Sequence, residues 1–291
     1  MIETLGAFGE LIAFGIILGT MYALVAIGLS LIFGVCGVVN AAHGEFVMLG
    51  AFTTFGAWSF LGLNPLLALP LSMALLFAVG FGLGHFLINV VAVRGLMPPM
   101  MLTFGISMIL WNTAEVVFTP TFRSVDYLGE PVTVGFLTTS KIYLVAFALA
   151  LLLLAAFFAL LRFTAYGEAI RATAQNRNLA QACGIDVKQV MAVTFGLGIA
   201  LAGACGTMVA MVWTIYPQMG LIYVAKAFAI VVIGGLGSLP GAFLGAYIFG
   251  IVESVGTHFL TTRMAQVLPY LIIVLILAVR RRGLLGHGVE D

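Results

Sequence analysis

Seven long segments of this chain contain no Asp, Glu, Lys, Arg or His residue. About 20 consecutive apolar residues are enough for an α-helix to cross the hydrocarbon core of a bilayer. The apolar residues form continuous runs and do not alternate with polar ones, which excludes an outer-membrane β-barrel. The sequence therefore predicts an all-α, polytopic membrane protein. The seven segments are Leu11–Ala42, Phe46–Gly84, Gly95–Ala114, Ile142–Leu161, Gln189–Ala225, Ala227–Val252 and Met264–Val279.

The composition excludes most soluble classes of protein. Charged residues make up 8% of the 291 residues and hydrophobic residues 63%, whereas about 25% of the residues in a soluble domain are charged. No soluble domain of this size has an interior large enough for so much apolar surface. A soluble enzyme, a nucleic-acid binder and a disordered protein are therefore excluded. The first ten residues contain no Lys or Arg, so no cleavable signal peptide is predicted.

The basic residues predict the orientation in the membrane. Arg162–Lys188 and Arg280–Arg282 are the two basic clusters, and basic loops favour the cytoplasmic side. The charges of Thr119–Lys141 sum to zero, and this loop is assigned to the outside. Counting crossings between these points predicts eight to nine transmembrane helices in a single domain that covers residues 1–291, with a cytoplasmic C-terminus. Small residues at four-residue spacing, such as Gly15 and Gly19, predict closely packed helices.

The run Gly234–Gly241 can hardly continue a helix, because it contains three further glycine and proline residues between its ends. We expect two short helical pieces, Val224–Ile233 and Gly241–Thr257, on either side of a non-helical break. Such a break is tolerated at membrane depth only where it is buried in protein or lines a cavity. The N–H groups of the helix that starts after Pro240 face a substrate carboxylate or are buried by neighbouring helices. The candidate path residues here are Gly234, Gly235, Gly237, Ser238 and Gly241.

A second break, Asn40–Glu45, places an amide, an imidazole and a carboxylate within six residues. Polar groups at membrane depth are costly and often mark a transport pathway. The alternative is a cytoplasmic turn whose Asn and His side chains cap helix ends, and the residues alone leave both interpretations open. No further His or Cys lies at ligand spacing, so a metal site is not expected. The candidate path residues are Asn40, His43 and Glu45.

The remaining ionisable groups in apolar segments are few. Glu115, Lys226 and Glu253 are interpreted as residues at the membrane interface or with satisfied charges, not as sites. No series of acidic residues crosses the membrane, which disfavours a proton-driven carrier. The chain lacks the P-loop pattern and the common catalytic motifs. It is therefore predicted not to be an enzyme.

The segment 162–188 is polar and rich in alanine, unlike the rest of the chain. Its alanines favour helix, and Gly184 is suited to end that helix in a left-handed conformation. A soluble helix beside a membrane bundle suggests a docking surface for another protein, although an ordinary basic loop gives a similar pattern.

Three blocks of this sequence resemble the permease subunits of branched-chain amino acid ABC importers, in particular their LivH-like branch. The first block is Tyr22–Val35 followed by Asn40–Glu45 and Met48–Ala51, the second is Gly167–Gly184, and the third is Gly234–Ala242. The second block looks like the cytoplasmic segment that couples a permease to its ATPase, although Leu179 stands where ABC permeases carry an acid. The coupling residues that the resemblance implies are Gly167, Glu168, Arg171, Ala172, Asn176, Arg177, Ala180 and Gly184.

The resemblance implies the rest of the assembly. The chain would be one half of a channel in the bacterial inner membrane, paired with a second, LivM-like permease subunit. Two cytoplasmic ATPases would bind ATP and Mg, so this chain would need no cofactor, and an extracytoplasmic binding protein would deliver substrate. The expected substrates are branched-chain or other hydrophobic amino acids. Urea, short amides, and aromatic or other carboxylates remain alternatives, as do a secondary transporter and a channel.

Overall fold

The computed structural model describes residues 2–135, 137–279 and 283–285. Arg280–Arg282, on which the predicted orientation of the C-terminus depends, lie outside the described residues. The regular secondary structure of the described part is helical apart from one short hairpin. Its α-helices are α1 Ile2–Cys36, α2 His43–Leu61, α3 Pro65–Leu83, α4 Asn89–Val91, α5 Met97–Phe118, α6 Lys141–Phe163, α7 Ala165–Gln175, α8 Arg177–Ala182, α9 Val187–Val212, α10 Met219–Gly234, α11 Leu239–Phe259 and α12 Thr262–Val279.

The prediction of an all-α, polytopic membrane protein is confirmed. Within the described residues, six helices are long and apolar enough to cross a membrane: α1, α3 with its extension to Val91, α5, α6, α9 and α11. The predicted total of eight to nine also counts α2, α10 and α12. The two short pieces expected around the glycine-rich break are α10 and α11, and each is longer than predicted.

The centre of the bundle is formed by α1 and α9. Both are largely buried. Their backbones approach closely where Gly28 lies against Gly198, since a Cβ atom on Gly28 would lie 2.5 Å from the Gly198 carbonyl oxygen. Gly15 and Gly19 of α1 similarly contact the backbone of α11. The four-residue spacing of small residues thus serves packing within the chain.

The segment 162–188 forms two helices and not one. α7 begins after Thr164, whose hydroxyl accepts a hydrogen bond from Gly167 N. The single helix expected from Gly167 to Gly184 is interrupted at Asn176, whose Oδ1 accepts hydrogen bonds from the N–H groups of Asn178 and Leu179 and so begins α8. Gly184 follows α8 with a φ of +85°, as its predicted role as a helix end requires.

The loop Thr119–Lys141 contains an antiparallel hairpin that the sequence analysis did not anticipate. Its strands are β1 Pro131–Val134 and β2 Leu137–Ser140. The start of the loop is joined to the connection between α9 and α10, because the backbones of Arg123 and Ile215 exchange two hydrogen bonds. This end of the bundle is called the hairpin end below. The other end, which carries α7 and α8, is called the coupling end.

Candidate functional site

The residues between α1 and α2 lead the chain back into the bundle. α1 ends at Cys36, and Gly37 takes a φ of +60°. The His43 Nε2 atom then lies 2.9 Å from the carbonyl oxygen of Val25. At 1.5 Å per residue, Val25 is about 16 Å from the end of α1. α2 therefore begins inside the bundle, and this favours membrane depth over a turn at the cytoplasmic surface.

The three polar residues of this break are buried and only partly hydrogen-bonded. Asn40 Oδ1 accepts a hydrogen bond from Ala42 N at 3.1 Å, and Ser107 Oγ donates to Glu45 Oε1 at 3.3 Å. Asn40 Nδ2, His43 Nδ1 and Glu45 Oε2 have no hydrogen-bond partner among the described residues. A buried polar atom without a partner is costly. These atoms can therefore bind polar groups that enter the bundle.

The glycine-rich break forms a tight turn between α10 and α11. Gly234 and Gly241 touch backbone to backbone, so a Cβ atom on either would overlap the other. Gly235 and Gly237 have φ angles of +103° and +79°, which favour glycine. Ser238 Oγ accepts a hydrogen bond from Gly241 N at 3.2 Å. Part of the first turn of α11 is thus capped by its own chain.

The two predicted parts of the path lie at different depths. Gly237 contacts Gly34, near the coupling end of α1, since a Cβ atom on Gly34 would lie 3.1 Å from the Gly237 carbonyl oxygen. His43 contacts Val25, which lies on α1 about 13 Å from Gly34, towards the hairpin end. The structure therefore does not bring the two breaks together. The turn is also closed from the C-terminal side, because the N–H groups of Leu284 and Leu285 donate to the last carbonyls of α10.

The coupling segment presents a groove between α7 and α8 with a volume of about 390 Å³. The side chain of Leu179 is 65% exposed there. Glu168, Arg171 and Gly184 are exposed on the same segment. The groove is lined by Ala172, Gln175, Asn176, Leu179, Ala180, Cys183 and Ile185.

Two of the predicted coupling residues have roles inside the chain. Arg177 Nη2 donates to the Val35 carbonyl at 2.9 Å, so Arg177 satisfies a carbonyl in the last turn of α1. Gly167 packs against the Leu161 carbonyl with no room for a Cβ atom. Arg177 thereby ties the coupling segment to the central helix α1.

A cavity at the hairpin end contains a feature that the sequence analysis missed. It measures about 440 Å³, and at its base Lys226 Nζ lies 2.7 and 2.9 Å from the two carboxylate oxygens of Glu253. Tyr22 OH accepts a third hydrogen bond from Lys226 Nζ at 2.7 Å. The sequence analysis interpreted Lys226 and Glu253 as interface residues or as residues with satisfied charges, and it did not pair them with each other. Their opposite signs in otherwise charge-free segments were the available signal for a pair.

This chain is similar to several transport proteins over almost its whole length. The permease protein LivH of the high-affinity branched-chain amino acid transport system of Escherichia coli K12 is 30% identical, with 94% of each chain covered. BraD of Pseudomonas aeruginosa PAO1 is 29% identical over 94% of each chain. LivM of Escherichia coli K12 is 26% identical over 78% of this chain and 59% of its own length. Among solved structures, PsaBC from Streptococcus pneumoniae in complex with Fab has 16% identity and a TM-score of 0.44, covering 90% and 89% of the two chains.

The bundle of apolar helices, with polar helices at one end and a cavity at the other, has the architecture of a multi-pass membrane protein. The chain belongs to the branched-chain amino acid transport system permease component family, whose pattern matches residues 11–277. The resemblance identified from the three sequence blocks is confirmed.

Proposed function

We propose that this chain is one of two permease subunits of an ATP-driven importer for branched-chain or other hydrophobic amino acids. The observation that carries the proposal is its similarity to LivH and BraD, which extends over 94% of each chain. The chain forms half of the path through the membrane. Substrate recognition before entry and ATP hydrolysis belong to other subunits, so this subunit is not itself an enzyme.

The second permease subunit is LivM-like in this proposal, because LivM of Escherichia coli is itself similar to this chain. Two ATPases, which bind ATP and Mg, dock at the coupling end. The groove with exposed Leu179 supports this placement, since a cleft beside an unburied apolar side chain suits a partner's side chain. Arg177 then links movement of the docked segment to α1 through the Val35 carbonyl.

An extracytoplasmic binding protein delivers substrate at the hairpin end. From the cavity there, substrate passes the buried polar atoms of Asn40, His43 and Glu45. The turn Gly234–Gly241 lies at the coupling end and is closed in this conformation. Its opening is the last step of passage.

Uptake by intact cells tests the substrate class. Cells that express the complete importer should accumulate labelled leucine, and excess isoleucine or valine should compete. Cells that lack only this subunit should not accumulate it. Competition by urea, short amides or aromatic carboxylates in place of isoleucine would contradict the proposal, because those ligands define the alternative importers.

The orientation in the bacterial inner membrane is tested by thiol labelling. Asn178 and Thr133 are exposed at the coupling end and the hairpin end. With exposed Cys183 replaced by serine, Thr133→Cys should react with an impermeant reagent in intact cells, and Asn178→Cys should react only after the cells are opened. The reverse pattern would overturn the cytoplasmic assignment of the coupling segment.

A further inference from the structure

The cavity at the hairpin end has one positive and one negative side chain at its base. Lys226 lies on α10, Glu253 on α11 and Tyr22 on α1, and all three residues are at least nine-tenths buried. The ammonium group of Lys226 donates to both carboxylate oxygens of Glu253 and to Tyr22 OH, which uses its three N–H groups. The cluster is therefore neutral overall and fully paired.

The walls of the cavity are mainly aromatic and apolar. Tyr143 and Trp213 meet edge to face with ring centroids 6.1 Å apart, and Met219 and Ile222 complete an apolar surface near the charged pair. A volume of about 440 Å³ falls within the range of small-molecule sites. The cavity thus combines a neutral pair of charges with space for an apolar side chain.

We propose that this cavity binds the zwitterionic head group of a free α-amino acid during transport. The ammonium of the ligand pairs with Glu253, its carboxylate pairs with Lys226, and its side chain lies against the aromatic walls. This inference rests on the proposed function and names a binding site within it. No covalent bond is made or broken. One ion pair within the protein is exchanged for two ion pairs between protein and ligand.

The charge balance makes the site selective for zwitterions. A ligand with only a carboxylate separates Lys226 from Glu253 and leaves Glu253 buried without a partner. A ligand with only an ammonium does the same to Lys226. Burying an unpaired charge is strongly unfavourable. Discrimination therefore comes from the penalty on the wrong ligand as well as from contacts with the right one.

Protection of a cysteine at the mouth of the cavity measures binding directly. Thr257 lines the cavity and is exposed, so Thr257→Cys in the Cys183→Ser background should react with an impermeant thiol reagent. The experiment uses the importer complex in lipid nanodiscs without its binding protein. Leucine should slow the labelling of Thr257→Cys. Labelling of Thr133→Cys, in the hairpin outside the cavity, should not change.

Two analogues of leucine test each charge separately. 4-Methyl-2-oxopentanoate lacks the ammonium and 3-methylbutylamine lacks the carboxylate, and both keep the branched side chain. Each should need at least about tenfold higher concentration for the same protection, the usual effect of losing a charged hydrogen bond. Equal protection by either analogue and leucine, or no protection by leucine, overturns the proposal.

Variants of the pair separate binding from a purely structural role. Glu253→Gln should abolish protection by leucine. The double variant Lys226→Gln with Glu253→Gln removes both charges and leaves neither unpaired, so it should assemble even if Glu253→Gln does not. Leucine should also need at least about tenfold higher concentration to protect the cysteine in this double variant. Protection equal to wild type in the double variant means that the pair serves packing only and contradicts the proposal.

The outcomes also distinguish this site from the proposed function. ATP-driven leucine uptake without any protection of Thr257→Cys would leave the importer assignment intact and reject the site. Zwitterion-selective protection in a complex without ATP-driven uptake would support the site and reject the importer.

Discussion

Replacing Gly44 with alanine should prevent the protein from folding into a stable bundle. Gly44 lies at the start of α2, inside the bundle, and its Cα atom faces the Gly220 carbonyl, so a Cβ atom would overlap that oxygen and lie 2.6 Å from Val224 N. Both neighbours are backbone atoms of α10 and cannot rotate away. Overpacking of a rigid core costs about 3 kcal/mol. α2 and α10 must therefore separate, which displaces the buried residues 40–45.

The measurement is the yield of monodisperse protein after gel filtration, followed by its thermal stability in detergent. Gly105→Ala in α5 is the matched control, since a Cβ atom there meets nothing within 4 Å. Alanine is also the better helix former, by about 1 kcal/mol, so this control should be at least as stable as wild type. Equal stability of the two variants would contradict the close approach of α2 to α10.

Replacing Leu179 with lysine should detach the ATPases and so prevent ATP-driven transport. Leu179 lines the groove at the coupling end and is 65% exposed, so the change leaves the fold of this chain intact. A charge in the apolar part of an interface removes a central contact, which commonly costs about 2 kcal/mol or roughly 30-fold in affinity. We expect the ATPases to dissociate during purification and leucine uptake to fall by a similar factor.

Gln181→Lys is the control for this variant. It places the same charge on the same helix, at an exposed residue that does not line the groove. Its complex should keep its ATPases and its transport rate. If Leu179→Lys behaved like Gln181→Lys, the ATPases would dock elsewhere.

Local signals in the sequence were sufficient to predict the membrane helices and the break at Gly234–Gly241, but not the hairpin or the interruption at Asn176. The run of glycines around Pro240 predicted the turn, and Gly235 and Gly237 have the positive φ angles that such a turn needs. Gly184 ends a helix as expected, for the same reason. These features depend on the conformational preferences of one or two residues. They are therefore readable without knowledge of the packing.

Contacts between distant segments were harder to foresee. The link from Arg177 to Val35 joins residues 142 positions apart, and no local preference indicates it. The Lys226–Glu253 pair was easier to foresee than the link from Arg177 to Val35, because its two residues lie on the consecutive helices α10 and α11. The contacts Gly234–Gly241 and Ile230–Gly245 show how α10 and α11 pair, and one further turn along both helices brings Lys226 to the level of Phe249, a single turn before Glu253.

The central claim is that this chain moves amino acids only as part of an ATP-driven assembly. The most direct test measures ATP hydrolysis and leucine uptake together, in proteoliposomes that contain both permease subunits and both ATPases. Leucine-loaded binding protein should raise the rate of ATP hydrolysis, and leucine should accumulate inside only when ATP is supplied on the coupling side. Accumulation without ATP, driven by an ion gradient or by the leucine gradient alone, would contradict this account.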